Sequence, residues 1–191
     1  TGVARTVTHN LGAVPELMII KRRNAGVAWF VYDATNGATN NLVLNTTAAT
    51  VADSLPWNNT TPTSTVFSVG GVAYTNGLGD TYVAYLFATL AGVSKVGTYT
   101  GNGTNHTINC GFAAGARFVL IKATSTTGNW IAGDSTRGLI AGNDPYLLLN
   151  STAAEVTTED WLDPDNSGFV VNETTAAANT NGVSYIFLAF S

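Results

Sequence analysis

The sequence predicts an all-β chain built from two tandem homologous repeats, each the size of a small β-sandwich, and three observations carry that expectation. Short apolar runs rich in β-branched and aromatic residues recur along the whole chain. Turn-forming pairs separate them: Asn36-Gly37, Asn76-Gly77, Asn102-Gly103 and Asn181-Gly182, with Asp165-Asn166-Ser167-Gly168 in the second half. The second half of the chain also repeats the first. Runs at this spacing indicate a sandwich or a barrel.

In chain order, Leu17-Met18-Ile19-Ile20 is a fully apolar run of strand length. Trp29-Phe30-Val31-Tyr32 combines aromatic and β-branched side chains, which favours strand. Residues 42–45, 65–69 and 81–87 complete the first series. Phe118-Val119-Leu120-Ile121 opens the second, followed by residues 146–150, 168–172 and 184–190. Residues 48–53 and 153–160 are the two stretches expected to form a helical turn. Each copy thus reads as about six strands, close to one small sandwich.

The duplication appears when the sequence slides so that Lys21 falls on Lys122, Trp29 on Trp130, Asp33 on Asp134 and Gly37 on Gly138. With a small change of register, Asn45-Thr46-Thr47-Ala48-Ala49 falls on Asn150-Ser151-Thr152-Ala153-Ala154. Phe67 then meets Phe169, Tyr82 meets Tyr185 and Phe87 meets Phe190, and the opening Thr1-Gly2 is matched to Thr100-Gly101. The expected domains are residues 1–94 and 95–191. The matched positions are mostly apolar or turn-forming, so the copies share a core, and the unmatched loops are where binding is expected.

Composition excludes several function classes. Of 191 residues, 45% are hydrophobic and only 10% charged, the opposite of what disorder requires. The polar surface must come from Thr, Asn, Ser and Gly, as in secreted domains rather than cytosolic enzymes. Net charge is −4 and no basic stripe exists, so nucleic-acid binding is not expected. No apolar stretch approaches ~18 residues, so no membrane insertion is expected. The chain opens on Thr1, shows no signal peptide and is expected to be a fragment of something longer. The single cysteine, Cys110, reads as a buried small hydrophobe.

Chemistry-bearing residues are few. Trp29 and Trp130 occupy equivalent strand positions and read as sheet-face or core aromatics, with sugar stacking as the alternative. Trp57, in Pro56-Trp57-Asn58-Asn59-Thr60, and Trp161, in Asp160-Trp161-Leu162-Asp163, sit among amides and carboxylates. Each is either a plug that anchors its loop or a ring on which a sugar stacks while Asn58, Asn59 and Asp163 bind hydroxyls. Tyr74 is a similar candidate. Asp134 and Arg137 are expected to pair beside the Gly138 turn. Asp163 and Asp165 are weak metal candidates: the run Asp163-Pro164-Asp165-Asn166-Ser167-Gly168 faintly resembles a calcium loop, but its twelfth position is Thr174 rather than Glu. His9 and His106 lack neighbours at ligand spacing, so no zinc site is expected. No nucleophile elbow, P-loop or dinucleotide fingerprint is present, and no catalytic residue or cofactor is expected.

The ordered series Tyr99-Thr100-Gly101-Asn102-Gly103, Gly111-Phe112, Ile121-Lys122, Gly128-Asn129-Trp130, Asp134 to Gly138, Asn150-Ser151-Thr152-Ala153-Ala154-Glu155, Gly168-Phe169 and Tyr185-Ile186 resembles the C-terminal repeat of phage tail-fibre and related virion appendage proteins. The first half carries the same series as His9-Asn10-Leu11-Gly12, Ile20-Lys21, Trp29, Asp33, Asn45 to Ala49 and Tyr82-Val83-Ala84. One departure is that Asn36 stands in the first copy where the second has Arg137. The resemblance implies a lectin-like, jelly-roll sandwich at a virion or extracellular surface. It also implies a homotrimer with other appendage subunits and host attachment through a cell-surface glycan or protein. A structural spacer and a polysaccharide depolymerase are the other two readings of the chain.

Overall fold

Nearly every regular element is a β-strand, and every strand pairing is antiparallel. The computed structural model describes residues 2–172 and 178–191, so Thr1 and Thr174 lie outside the described residues. The chain divides into two units, Thr1–Ala88 and Thr89–Ser191. The division falls before the expected boundary, because Ser94 belongs to a strand that pairs within the second unit.

In the first unit the strands are β1 (Arg5–Thr8), β2 (Leu17–Arg22), β3 (Trp29–Asp33), β4 (Asn40–Val43), β5 (Val51–Ala52), β6 (Val66–Val69) and β7 (Tyr82–Phe87), with the single turn of helix α1 (Ala73–Asn76). They form a sheet in the order β5-β4-β3-β2-β7 and a separate pair β1-β6. Leu17, Met18, Ile19 and Ile20 are all buried, which is why β2 reads as continuous apolar sequence without alternation. One core takes side chains from both sheets: Met18, Ile20 and Tyr32 from the larger, Phe67 and Val69 from the smaller.

The second unit contains β8 (Ser94–Thr100), β9 (His106–Asn109), β10 (Phe118–Ala123), β11 (Trp130–Asp134), β12 (Tyr146–Leu148), β13 (Leu162–Asp165), β14 (Gly168–Val171) and β15 (Ser184–Phe190). The sheets are β12-β11-β10-β15-β8 and β13-β14-β9. Val119, Ile121, Ile131, Phe187 and Ala189 of the first sheet share a core with Ile108, Leu162, Phe169 and Val171 of the second. Pro164 is tolerated within β13 because that strand lies at a sheet edge, where a missing N–H costs no ladder bond.

Two expectations about local structure are corrected. Residues 48–53 form no helix: Val51 and Ala52 pair with Asn41 and Asn40 as β5. Residues 153–160 form none either, and Val156 bridges to Tyr146. The matching of Gly2 to Gly101 is also revised. Gly2 N donates to Asn76 O at 2.9 Å with φ of 69°, and in the second unit Gly103 N donates to Asn179 O at 3.1 Å with φ of 73°. Gly2 thus shares its local geometry with Gly103.

Candidate functional site

The loop tryptophans point inward. Trp57 is 0% exposed, sits edge-on to Tyr32 at 5.7 Å, and donates its indole N–H to the Asn40 carbonyl at 3.0 Å. Trp161 is 1% exposed and packs edge-on against Tyr146 at 5.3 Å. It also lies over Gly133, where a Cβ would stand 2.7 Å from the ring. Of the two roles open to these rings, their placement fits the plug that anchors a loop. Neither face is open to a sugar, because each ring fills the interior of its unit. Trp130 is likewise buried, while Trp29 is half-buried, with Lys21 Nζ 5.9 Å from its ring centre.

The residues around Trp57 remain outside. Asn58 and Asn59 are exposed and adopt left-handed backbone, φ 52° and 47°, a conformation Asn tolerates better than most residues. Asn59 N donates to Ser54 O at 3.0 Å, closing the loop beneath it. Thr39, Ala52, Asp53, Ser54 and Asn59 line a shallow basin of ≈430 Å³. Tyr74 stands behind Asp53, its hydroxyl donating to Asp53 Oδ2 at 3.1 Å and its ring stacked on Phe30 at 4.3 Å. Burial, and then the Asp53 carboxylate, hold the Tyr74 hydroxyl above its usual pKa, so it stays a donor. Asp53 Oδ1 accepts from Leu55 N at 2.9 Å, which fixes the carboxylate's orientation. The basin therefore offers two hydroxyls, an amide and one carboxylate.

Three of the sequence candidates thus come together here: Asn59 in the basin, Asn58 beside it and Tyr74 behind it. Asp53, Ser54 and Thr39 were not anticipated. Thr39 reaches the site from a different turn, and no spacing in the sequence signals that approach.

Asp163 and Asp165 lie in the second unit, on β13. Asp165 Oδ1 accepts from Ser167 N at 2.8 Å and from Ser167 Oγ at 2.5 Å, and these bonds hold its pKa below the usual range. Among the described residues no group of three His, Cys, Asp or Glu side chains is placed to share a metal ion. Asp134 pairs with Arg137 at 2.8 Å, and Arg137 also reaches Glu155 at 3.0 Å. Asp33, the equivalent residue of the first unit, is instead bonded by Asn36 Nδ2, at 3.0 and 2.8 Å. His9 Nε2 lies 3.1 Å from Thr63 O, and the His106 ring meets the edge of Tyr99. Cys110 is buried, and burial pushes its thiol up to about 11.

No curated protein and no solved structure matches this chain. A family model described as a domain of unknown function, DUF7483, matches residues 1–191, and the chain belongs to that family.

Proposed function

We propose that this chain is a binding and display module of a virion appendage, made of two copies of one β-sandwich unit, that attaches to a host-surface glycan or protein through its loops. The single observation that carries the reading is the basin beside Asn59. It is shallow, open and lined by hydroxyl, amide and carboxylate groups on turns, the chemistry that meets sugar hydroxyls. It holds one carboxylate, Asp53, already engaged by Tyr74 and Leu55, whereas glycoside hydrolysis uses a pair. The reading is therefore of contact without turnover. Weak single sites of this kind gain avidity when subunits assemble, as in a trimeric fibre.

The copy reading is supported by matched pairings. Leu17 lies opposite Asp33 and Phe87, and Phe118 lies opposite Asp134 and Phe190. Val7 lies opposite Phe67 as Ile108 lies opposite Phe169. The sandwich reading is supported by the core that both sheets of each unit share.

Binding to a glycan array and to whole host cells tests the function. Asn59→Gly, which keeps the left-handed backbone, and Tyr74→Phe are expected to weaken binding roughly tenfold while shifting the melting temperature little, since the first removes one basin amide and the second removes the hydroxyl that holds Asp53. Undiminished binding in both variants refutes the basin as the contact site.

A further inference from the structure

The second unit carries a cleft on which polar groups converge from the edges of both its sheets. It has a volume of ≈480 Å³ and is lined by β8, the last strand of the larger sheet, and β9, the last strand of the smaller. Its floor is apolar. Gly97 has no side chain there, and the tip of the Phe187 ring comes so close that a Cβ on Gly97 would stand 2.6 Å from it. Ile108 also lines the cleft.

Along an antiparallel edge strand, every second residue turns its main-chain N–H and C=O away from the ladder. On β8, Val96 does so, and both groups meet Thr89 Oγ1. Thr98, two residues on, turns the same way. On β9, Cys110 N donates to Ser167 O in the register that sets Asn109 opposite Gly168, so Asn109 and Thr107 turn their main-chain groups outward. Thr98, Thr107 and Asn109 all line the cleft. Asn109 Oδ1 accepts from Gly111 N at 2.8 Å, which leaves Nδ2 as a donor.

Two nitrogen-bearing side chains join them. Lys95 stands two residues before Gly97, on the same face of β8, and forms no ion pair among the described residues. Its charge is felt inside the unit: burial raises the pKa of the Cys110 thiol, and the Lys95 ammonium works against that rise. The His106 ring stands edge-on to Tyr99 with centroids 5.6 Å apart, and its Nδ1 is buried with no hydrogen-bond partner. The wall of the cleft thus holds an unmet polar atom. Among the described residues no carboxylate lines the cleft. A cation, an imidazole, an amide and main-chain N–H groups therefore gather over an apolar floor, in a chain whose net charge is −4. The basin beside Asn59 is the reverse, with one carboxylate and no cation.

We propose that this cleft is a second binding site and that it takes a sugar acid, a pyranose ring carrying a carboxylate. Lys95 binds the carboxylate, and the Phe187 tip and Ile108 meet the apolar face of the ring. His106, Asn109 and the main-chain groups of Thr98 and Thr107 meet the hydroxyls. A hydrogen bond between charged groups is roughly twice as strong as one between neutral groups, so the carboxylate decides selectivity. The cleft shares no residue with the basin and does not need it.

Methyl glucuronide, methyl galacturonide and the methyl glycoside of N-acetylneuraminic acid are titrated into the intact chain, with methyl glucoside, methyl galactoside and acetate as controls, and backbone amide NMR signals are followed. At least one sugar acid is expected to move the β8 and β9 signals and to bind about tenfold tighter than the neutral glycosides or acetate. Lys95→Met should bring that sugar acid down to the level of the neutral glycosides, while Lys95→Arg should keep most of the preference. His106→Phe should weaken acidic and neutral sugars alike. Should Lys95→Met fail to fold, added salt on the unaltered chain decides, since it should weaken the sugar acids alone. No movement of β8 and β9 by any sugar acid, equal binding of acidic and neutral sugars, or a preference that survives in Lys95→Met overturns the proposal. Acetate bound as tightly as the sugar acids assigns the cleft to small anions and overturns it as well. Glycan binding by the basin is read at residues 39, 52–54 and 59, so its failure and the failure of the cleft are told apart.

Discussion

Residues buried against their local chemistry explain much of this molecule. Trp57 is flanked by Pro56, Asn58, Asn59 and Thr60, and Trp161 by Asp160 and Asp163, so local composition reads as surface. Both rings are interior because each closes a core, over Tyr32 in one unit and over Gly133 in the other. Gly133 carries no side chain where the Trp161 indole lies on the sheet, and a Cβ there would stand 2.7 Å from the ring. Lys122 is a second case. It is fully buried on β10, its ammonium donating to Gly128 O at 2.8 Å, and burial lowers its pKa to about 8. The unfolded chain therefore holds this proton over a range where the folded chain releases it, and stability rises with pH from about 8 upward. The gain should reach about 1 kcal/mol per pH unit between pH 8 and 9. From about pH 8 upward the Cys110 thiol, held up at about 11, offsets part of this gain. Urea unfolding at pH 8 and 9 checks this: the rise should vanish in Lys122→Met, and an unchanged slope in that variant would contradict the assignment.

Among the elements, the most legible in sequence are those buried on both faces; the half-buried β7 was legible from its aromatic and β-branched residues. β2 and β10 announce themselves because Leu17 to Ile20 and Val119 to Ile121 are uninterrupted apolar runs. β1, β9 and β13 were not legible. Each is four residues long and polar in composition; β1 and β9 pair with partners distant in sequence, while β13 pairs with the adjacent β14 but carries Pro164 and two aspartates. β8 was not predicted as a strand, because Lys95, Gly97 and Thr98 carry little apolar bulk, yet it pairs along the whole length of β15. The shared Asn45 and Asn150 have a structural explanation instead of a binding one. Asn45 Oδ1 accepts the first amide of β3 at 2.9 Å, and Asn150 Oδ1 accepts the first amide of β11 at 2.7 Å. Each asparagine ties the start of one strand to the turn that follows the next. Asn150→Ala should cost about 1–2 kcal/mol in chemical denaturation, while Asn150→Asp, which keeps the acceptor, should cost less. Equal losses in the two variants would show that the acceptor oxygen is not what matters.

At the scale of the whole molecule, the all-β class was legible because periodicity and turn residues agree along the chain. The candidate site was legible only in part. Asn58, Asn59 and Tyr74 stand out as polar or aromatic loop residues, but the basin also needs Thr39 and Asp53, which only the fold brings to it. The low charge fits a surface built for contact through hydroxyls and amides. The proposed function rests on reading the two units as strand skeletons of one design, with Leu17 opposite Asp33 and Phe87 as Phe118 is opposite Asp134 and Phe190. Backbone amide exchange on the intact chain tests that claim most directly. β2 and β10 should be protected alike, each among the slowest segments of its unit, and β3 should stand to β2 as β11 stands to β10. Slow segments at unrelated positions in the two units would contradict it.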